Sequence, residues 1–126
     1  MKPTTVEWLR KADSDYTLAV SLCRRRRHPV RDHVCFHFQQ SAEKFVKARL
    51  EEAGIRFPKT HDIASLPHLA AAVEPLWSAL IPAARRLNDY GVKVRYPGND
   101  ATAKDAVSAH RDATAIRREV RLALGI

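Results

Sequence analysis

CFHFQQSAEKFVKARLEEAG, residues 35–54, returns to an apolar side chain every three or four positions: Cys35, Phe38, Ala42, Phe45 with Val46, Leu50 and Ala53. That spacing is the period of one face of an α-helix, and no part of the stretch alternates as a half-buried strand would. Carried back to Val30, it predicts a helix over Val30–Ala53, about 36 Å long at about 1.5 Å per residue. Gly54 is the natural left-handed stop behind it. Between the apolar positions, Gln40, Glu43, Lys44 and Lys47 form a polar ladder on adjoining turns.

The same period recurs outward in both directions. Trp8, Ala12, Tyr16, Ala19 and Cys23 share one face of a first helix that starts after Thr4 or Thr5 and runs to about Cys23, with Arg10, Lys11, Ser14 and Ser21 opposite. His28-Pro29 ends that segment, because the residue before a proline avoids the helical region while proline suits a first turn. After the loop Ile55–Thr60, either Thr60 or Asp62 is placed to cap a short third helix carrying Ile63, Leu66, Leu69, Ala70 and Val73. Pro67 requires that helix to start near it or to bend. Pro75 opens a fourth, with Leu76, Leu80, Ala84 and Leu87 in its stripe, an end near Tyr90-Gly91, and a kink or late start at Pro82. Val92–Asp100 reads as irregular, with Asn99 or Asp100 capping a last helix. That helix carries Ala106, Ala109, Ala113, Ile116, Val120, Ala123 and Leu124 before Gly125 stops it. The expected fold is all-α: four or five helices in an up-and-down bundle, one domain over residues 1–126.

Length and composition agree with a single helical domain. The chain has 126 residues, 45% apolar and 29% charged, and no run approaches the roughly 20 apolar residues of a membrane span. The N-terminal residues lack the apolar core of a secretory signal, so a cytoplasmic protein with Cys23 and Cys35 as free thiols is expected. Lys and Arg number 22 against 14 Asp and Glu, a formal charge of +8. The excess is mostly arginine and clustered, in Arg24–Arg27 with Arg31 and in Arg111, Arg117, Arg118 and Arg121. Such clusters serve either as solvated helix ends or as surfaces for phosphate-bearing or acidic partners. No phosphate loop, dinucleotide fingerprint or HExxH motif is present. His33 and His37 stand one helical turn apart but lack a third ligand, so no metal and no cofactor are expected.

FHFQQSAEKFVKARLEEAG, PKTHDI (residues 58–63) and LNDYGVKVRYPG (residues 87–98), preceded by WLRKAD at residues 8–13, together resemble the HEPN family, small helical bundles associated with nucleotide binding. The resemblance spans essentially the whole chain in order. It implies a four- or five-helix bundle, commonly a homodimer, often encoded beside a minimal nucleotidyltransferase in toxin–antitoxin pairs, with nucleotide or RNA as ligand. The ribonuclease branch of that family carries an Arg, four to six intervening residues and a His beside the irregular segment. Here Arg95 has no histidine until His110, far outside that window, while Arg56/His61 and Arg27/His33 have the spacing in other parts of the chain.

The reading is therefore a non-catalytic domain binding nucleotide or nucleic-acid phosphate through Gln40, Lys44, Lys47, Lys59, His61, Arg95 and Tyr96, the cations on phosphate and Tyr96 stacking on a base. One alternative is a metal-independent RNase in which Arg56 and His61 form the active pair. Another is an interaction module whose basic surface meets an acidic partner. His61 has a structural alternative as a loop-ordering residue held by Asp62.

Overall fold

Pro3 sets where the first helix begins. In the computed structural model, which describes residues 1–93 and 96–126 and the side chains of 1–90 and 96–126, α1 spans Pro3–Cys23, with extended Lys2 before it. Proline fits a first turn because that N–H has no intrahelical acceptor, so the start precedes the one expected at Thr4 or Thr5. Thr5 is fully buried and donates its hydroxyl proton to Glu52 Oε1 at 2.9 Å. The buried face of α1 is Thr5, Leu9, Ala12 and Ala19; Trp8 and Tyr16 flank it half-buried, and Cys23 is exposed.

The next element, α2, runs Arg31–Glu52, and Gly54 takes the left-handed conformation at φ +70°. Nearly all of its predicted apolar face is buried, from Val34 and Cys35 to Leu50. It packs antiparallel to α1 at close range, since Ala12, Ala19 and Ala42 offer only methyl groups and Ser41 Oγ donates to the Ala12 carbonyl at 2.9 Å.

The predicted third helix is divided: a 3-10 turn at Ile63–Ser65, α3 at Leu66–Leu69, and a second 3-10 turn at Ala70–Ala72. Asp62, not Thr60, caps the first turn, accepting from the Ala64 N–H at 3.1 Å. Pro67 sits in the first turn of α3, where it breaks no hydrogen bond. The segment from Pro75 to Leu80 is also 3-10, and α4 spans Ile81–Lys93, so Pro82 marks a late start. With three residues per turn, Trp77 and Leu80 share the buried side. Leu76, expected in the stripe, is left 84% exposed. The helix passes the expected end at Tyr90-Gly91. The last helix, α5, spans Ala103–Leu124 and is capped by Thr102, with Asp105 completing a reciprocal capping box, instead of by Asn99 or Asp100. Gly125 stops it at φ +73°.

Contacts along α2 and α5 show that they run parallel. Asp32 Oδ1 accepts from the Ala101 N–H at 2.7 Å, the Phe38 ring stacks on His110, and Arg117 lies over Phe45 farther along. Arg86 of α4 closes the other flank with a two-pronged bond to Asp112 of α5, at 2.8 and 2.9 Å. The described residues thus form an all-helical bundle around α2, with no strand among them. None of their helices is long and apolar enough to cross a membrane.

Candidate functional site

The middle of α2 turns Gln39, Glu43 and Lys47 toward the loop that follows it. Gln39, buried, donates from Nε2 to the His61 carbonyl at 3.1 Å and accepts from Gln40 Nε2 at 2.8 Å. Lys47, also buried, donates from Nζ to the Thr60 carbonyl at 3.1 Å and to Glu43 Oε1 at 3.4 Å. Its ammonium also lies over the rings of Trp8 and Phe57, 5.4 and 5.7 Å from their centroids. Glu43 is 2% exposed, and its Oε1 lies 3.2 Å from His61 Nδ1. A buried carboxylate is retained only where cations and donors surround it, and Glu43 has one on each side.

These contacts pin the loop by its backbone and leave its charges outward. Arg56 and Lys59 are exposed, and the His61 side chain is 70% exposed. Asp62 spends its carboxylate on the Ala64 N–H, so the partner of His61 is Glu43, with Asp62 serving the backbone. An open depression of about 360 Å³ lies beside Arg56, bounded by Lys2, Glu51, Gly54, Ile55 and Phe57.

The other candidate residues are distributed differently. Lys44 pairs with Asp15 of α1, which also holds His37 Nδ1 at 3.0 Å. Gln40 is half-buried against Gln39. Tyr96 is 63% exposed in the turn that leads to α5, at the end of the bundle where α5 and α2 both begin. It therefore stands at the opposite end of α2 from Lys47 and the loop. Arg95 lies outside the described residues. Arg27 and His33, which share the ribonuclease spacing, are both exposed near that same α2 start.

A family model described as HEPN domain matches residues 5–123. The chain belongs to the HEPN domain family. Comparisons with curated proteins and with solved structures returned no match. For this HEPN domain, membership implies a nucleotide- or RNA-related function and agrees with the helical bundle.

Sequence reasoning did not anticipate Asp15, Gln39 and Glu43 as organisers of this region. A local signal was available for one of them: Glu43 and Lys47 stand four apart on a single helix, the spacing of an intrahelical ion pair. For Asp15 none was, because its partners come from another helix.

Proposed function

We propose that this HEPN domain binds nucleotide or nucleic-acid phosphate without catalysing a reaction, acting as a homodimer beside a minimal nucleotidyltransferase in a toxin–antitoxin-type module. The observation that carries the binding reading is the tethered loop. Arg56, Lys59 and His61 are exposed on one short segment whose backbone is held by buried Gln39 and Lys47. Outward cations on a pre-ordered backbone meet a phosphate with little further loss of conformational freedom. Lys59 and His61 are the proposed contacts, with Arg56 as a bidentate donor. Gln40 and Lys47 belong to the set as residues that shape the surface from below, and Lys44, paired with Asp15, as a further cation on α2. The +8 formal charge speeds encounter with any polyanion.

The test is titration of a labelled single-stranded RNA at about 50 and about 200 mM salt, where each neutralised phosphate contributes about −0.7 to the logarithmic salt slope. The Arg56→Ala/Lys59→Ala double variant weakens binding several-fold and flattens the slope; unchanged affinity in that variant overturns the site. Arg95 is proposed as a further phosphate contact, and Arg95→Ala with unchanged affinity removes it from the set.

A second reading rests on the Glu43–His61 contact. A carboxylate 3.2 Å from Nδ1 favours the tautomer that leaves Nε2 able to accept a proton, as a general base for a 2′-hydroxyl requires, and Arg56 would stabilise the charged phosphorane. Metal-free cleavage of labelled RNA in chelator, abolished by His61→Ala, would establish this reading in place of the first. Cleavage equal in wild type and variant removes it.

A further inference from the structure

At the far end of the bundle, the connection between α1 and α2 carries a concentration of charge that the loop site does not use. Arg24, Arg25, Arg26, Arg27 and Arg31 are all exposed, and among the described residues none has a carboxylate within ion-pair distance. Asp32, the adjacent acid, is turned to the Ala101 N–H. Helix ends do not account for the cluster. The attraction between a cation and a helix C-terminus fades beyond the last turn, and Arg31 opens α2, where a cation is disfavoured.

The cluster borders a cavity of about 300 Å³. Leu22, Val30, Val34 and Val107 give it apolar walls, with Arg25 and Arg31 among its lining residues. His110 closes one side, its ring held 4.9 Å from that of Phe38 with the planes 9° apart. The connection itself is held in an unusual shape, for His28 sits at φ +50° immediately before Pro29.

We infer that this cavity binds a phosphomonoester carried on an aromatic or apolar body, with the body against the valine and leucine walls and the phosphate on Arg25 and Arg31. The volume is at the small end of ligand sites, which begin at about 300 Å³, so it admits one ring system and not a chain of them. Two planar guanidinium forks match the oxygens of a phosphate. A dianion also answers more of the surrounding positive charge than a carboxylate does. This chemistry has two sources, a free nucleoside 5′-monophosphate or the 5′-phosphorylated end of an RNA. The site is distinct from the Arg56–His61 loop, whose anchors on α2, from Gln39 to Lys47, lie about 12–24 Å along the helix from Arg31.

Cys23 provides the readout, because it lines the cavity and is exposed, while Cys35 is buried and serves as internal reference. The experiment follows alkylation of Cys23 in the full chain with increasing adenosine 5′-monophosphate, and repeats it with adenosine, with inorganic phosphate, and with one short RNA bearing either a 5′-phosphate or a 5′-hydroxyl. Protection by the monophosphate at concentrations where adenosine and inorganic phosphate give none is the expected result. Arg25→Ala and Arg31→Ala each raise the half-protecting concentration about tenfold or more, and Arg25→Lys does not restore it. Val107→Trp abolishes protection by filling the mouth. Arg56→Ala/Lys59→Ala leaves protection by adenosine 5′-monophosphate unchanged, which separates this site from the loop. Protection by the 5′-phosphorylated RNA but not its 5′-hydroxyl form assigns the RNA end as source; protection by the free nucleotide alone assigns the small molecule. Equal protection by inorganic phosphate, or protection that survives both arginine variants, overturns the proposal.

Discussion

Glu43 and Lys47 show what a single residue is asked to do in this bundle. Both lie in the buried centre of α2, one turn apart, and each completes the hydrogen bonding of the other while Lys47 also holds the Thr60 carbonyl. Removing one partner leaves a charge in a site with little water. Lys47→Met is therefore expected to cost about 1–3 kcal/mol, measured by chemical denaturation, and the double variant Glu43→Gln/Lys47→Met to recover part of that loss. A double variant no better than the single one would show that the ammonium acts on the loop and not on Glu43. Cys35 makes the complementary case. Burial, reinforced by the carboxylates of Asp105 and Asp32, pushes its thiol up to about 12 from an ordinary 9.0. The folded state thus prefers the neutral thiol. Its contribution to stability is fully present below about pH 9 and is lost as pH rises toward 12. Cys35→Ser should flatten the alkaline limb of a stability–pH curve.

At the scale of elements, helix ends are decided by partners that a local reading sees only in part. The start of α1 is held by Glu52 at the end of α2, whose Oε1 accepts from the Lys2 N–H and from the Thr5 hydroxyl, both at 2.9 Å. These bonds hold the Glu52 carboxyl below its usual range, the Lys2 N–H being the largest cause. A depressed carboxyl stabilises the fold above the ordinary carboxylate range, and that contribution is lost as pH falls through the lowered value. Glu52→Gln should remove this part of the acid dependence and increase amide exchange in the first turn of α1; unchanged exchange there would show that Pro3 alone sets the start. The start of α5, by contrast, is a local affair. Thr102 and Asp105 cap each other's backbone, and Thr102→Ala is expected to cost about 1 kcal/mol in denaturation. The sequence already holds that signature, Thr followed three residues later by Asp, but Asn99 and Asp100 beside the Pro-Gly turn compete with it. What chose between them is that Asp32 of α2 binds the Ala101 N–H, holding the chain extended through Thr102.

On the scale of the whole molecule, opposite ends of α2 carry positive surfaces of different kinds: a tethered loop at one end and an arginine-bordered cavity at the other. Between them, Arg86 and Asp112 join α4 to α5 with Asp112 nearly buried. Arg86→Ala strands that carboxylate, with Arg111 at 3.7 Å as its remaining ion-pair partner, and should cost about 1–3 kcal/mol. Because Arg86 is already neutralised by Asp112 while Arg56 and Lys59 face outward, RNA affinity should fall far less in Arg86→Ala than in Arg56→Ala/Lys59→Ala when measured on the folded fraction. The sequence by itself determined the helical class, the family blocks, the apolar face of α2 and the glycine stops at Gly54 and Gly125, because each depends on period or on backbone freedom within a few residues. It also held the ladder Gln40, Glu43, Lys44 and Lys47 as one polar stripe. Only the tertiary structure decided that Lys44 serves Asp15, that Lys47 and Gln39 pin the loop, and that Tyr96 stands at the other end from both. Those assignments join residues tens of positions apart, and helix packing, which brings them within a few ångströms, leaves no trace in local spacing.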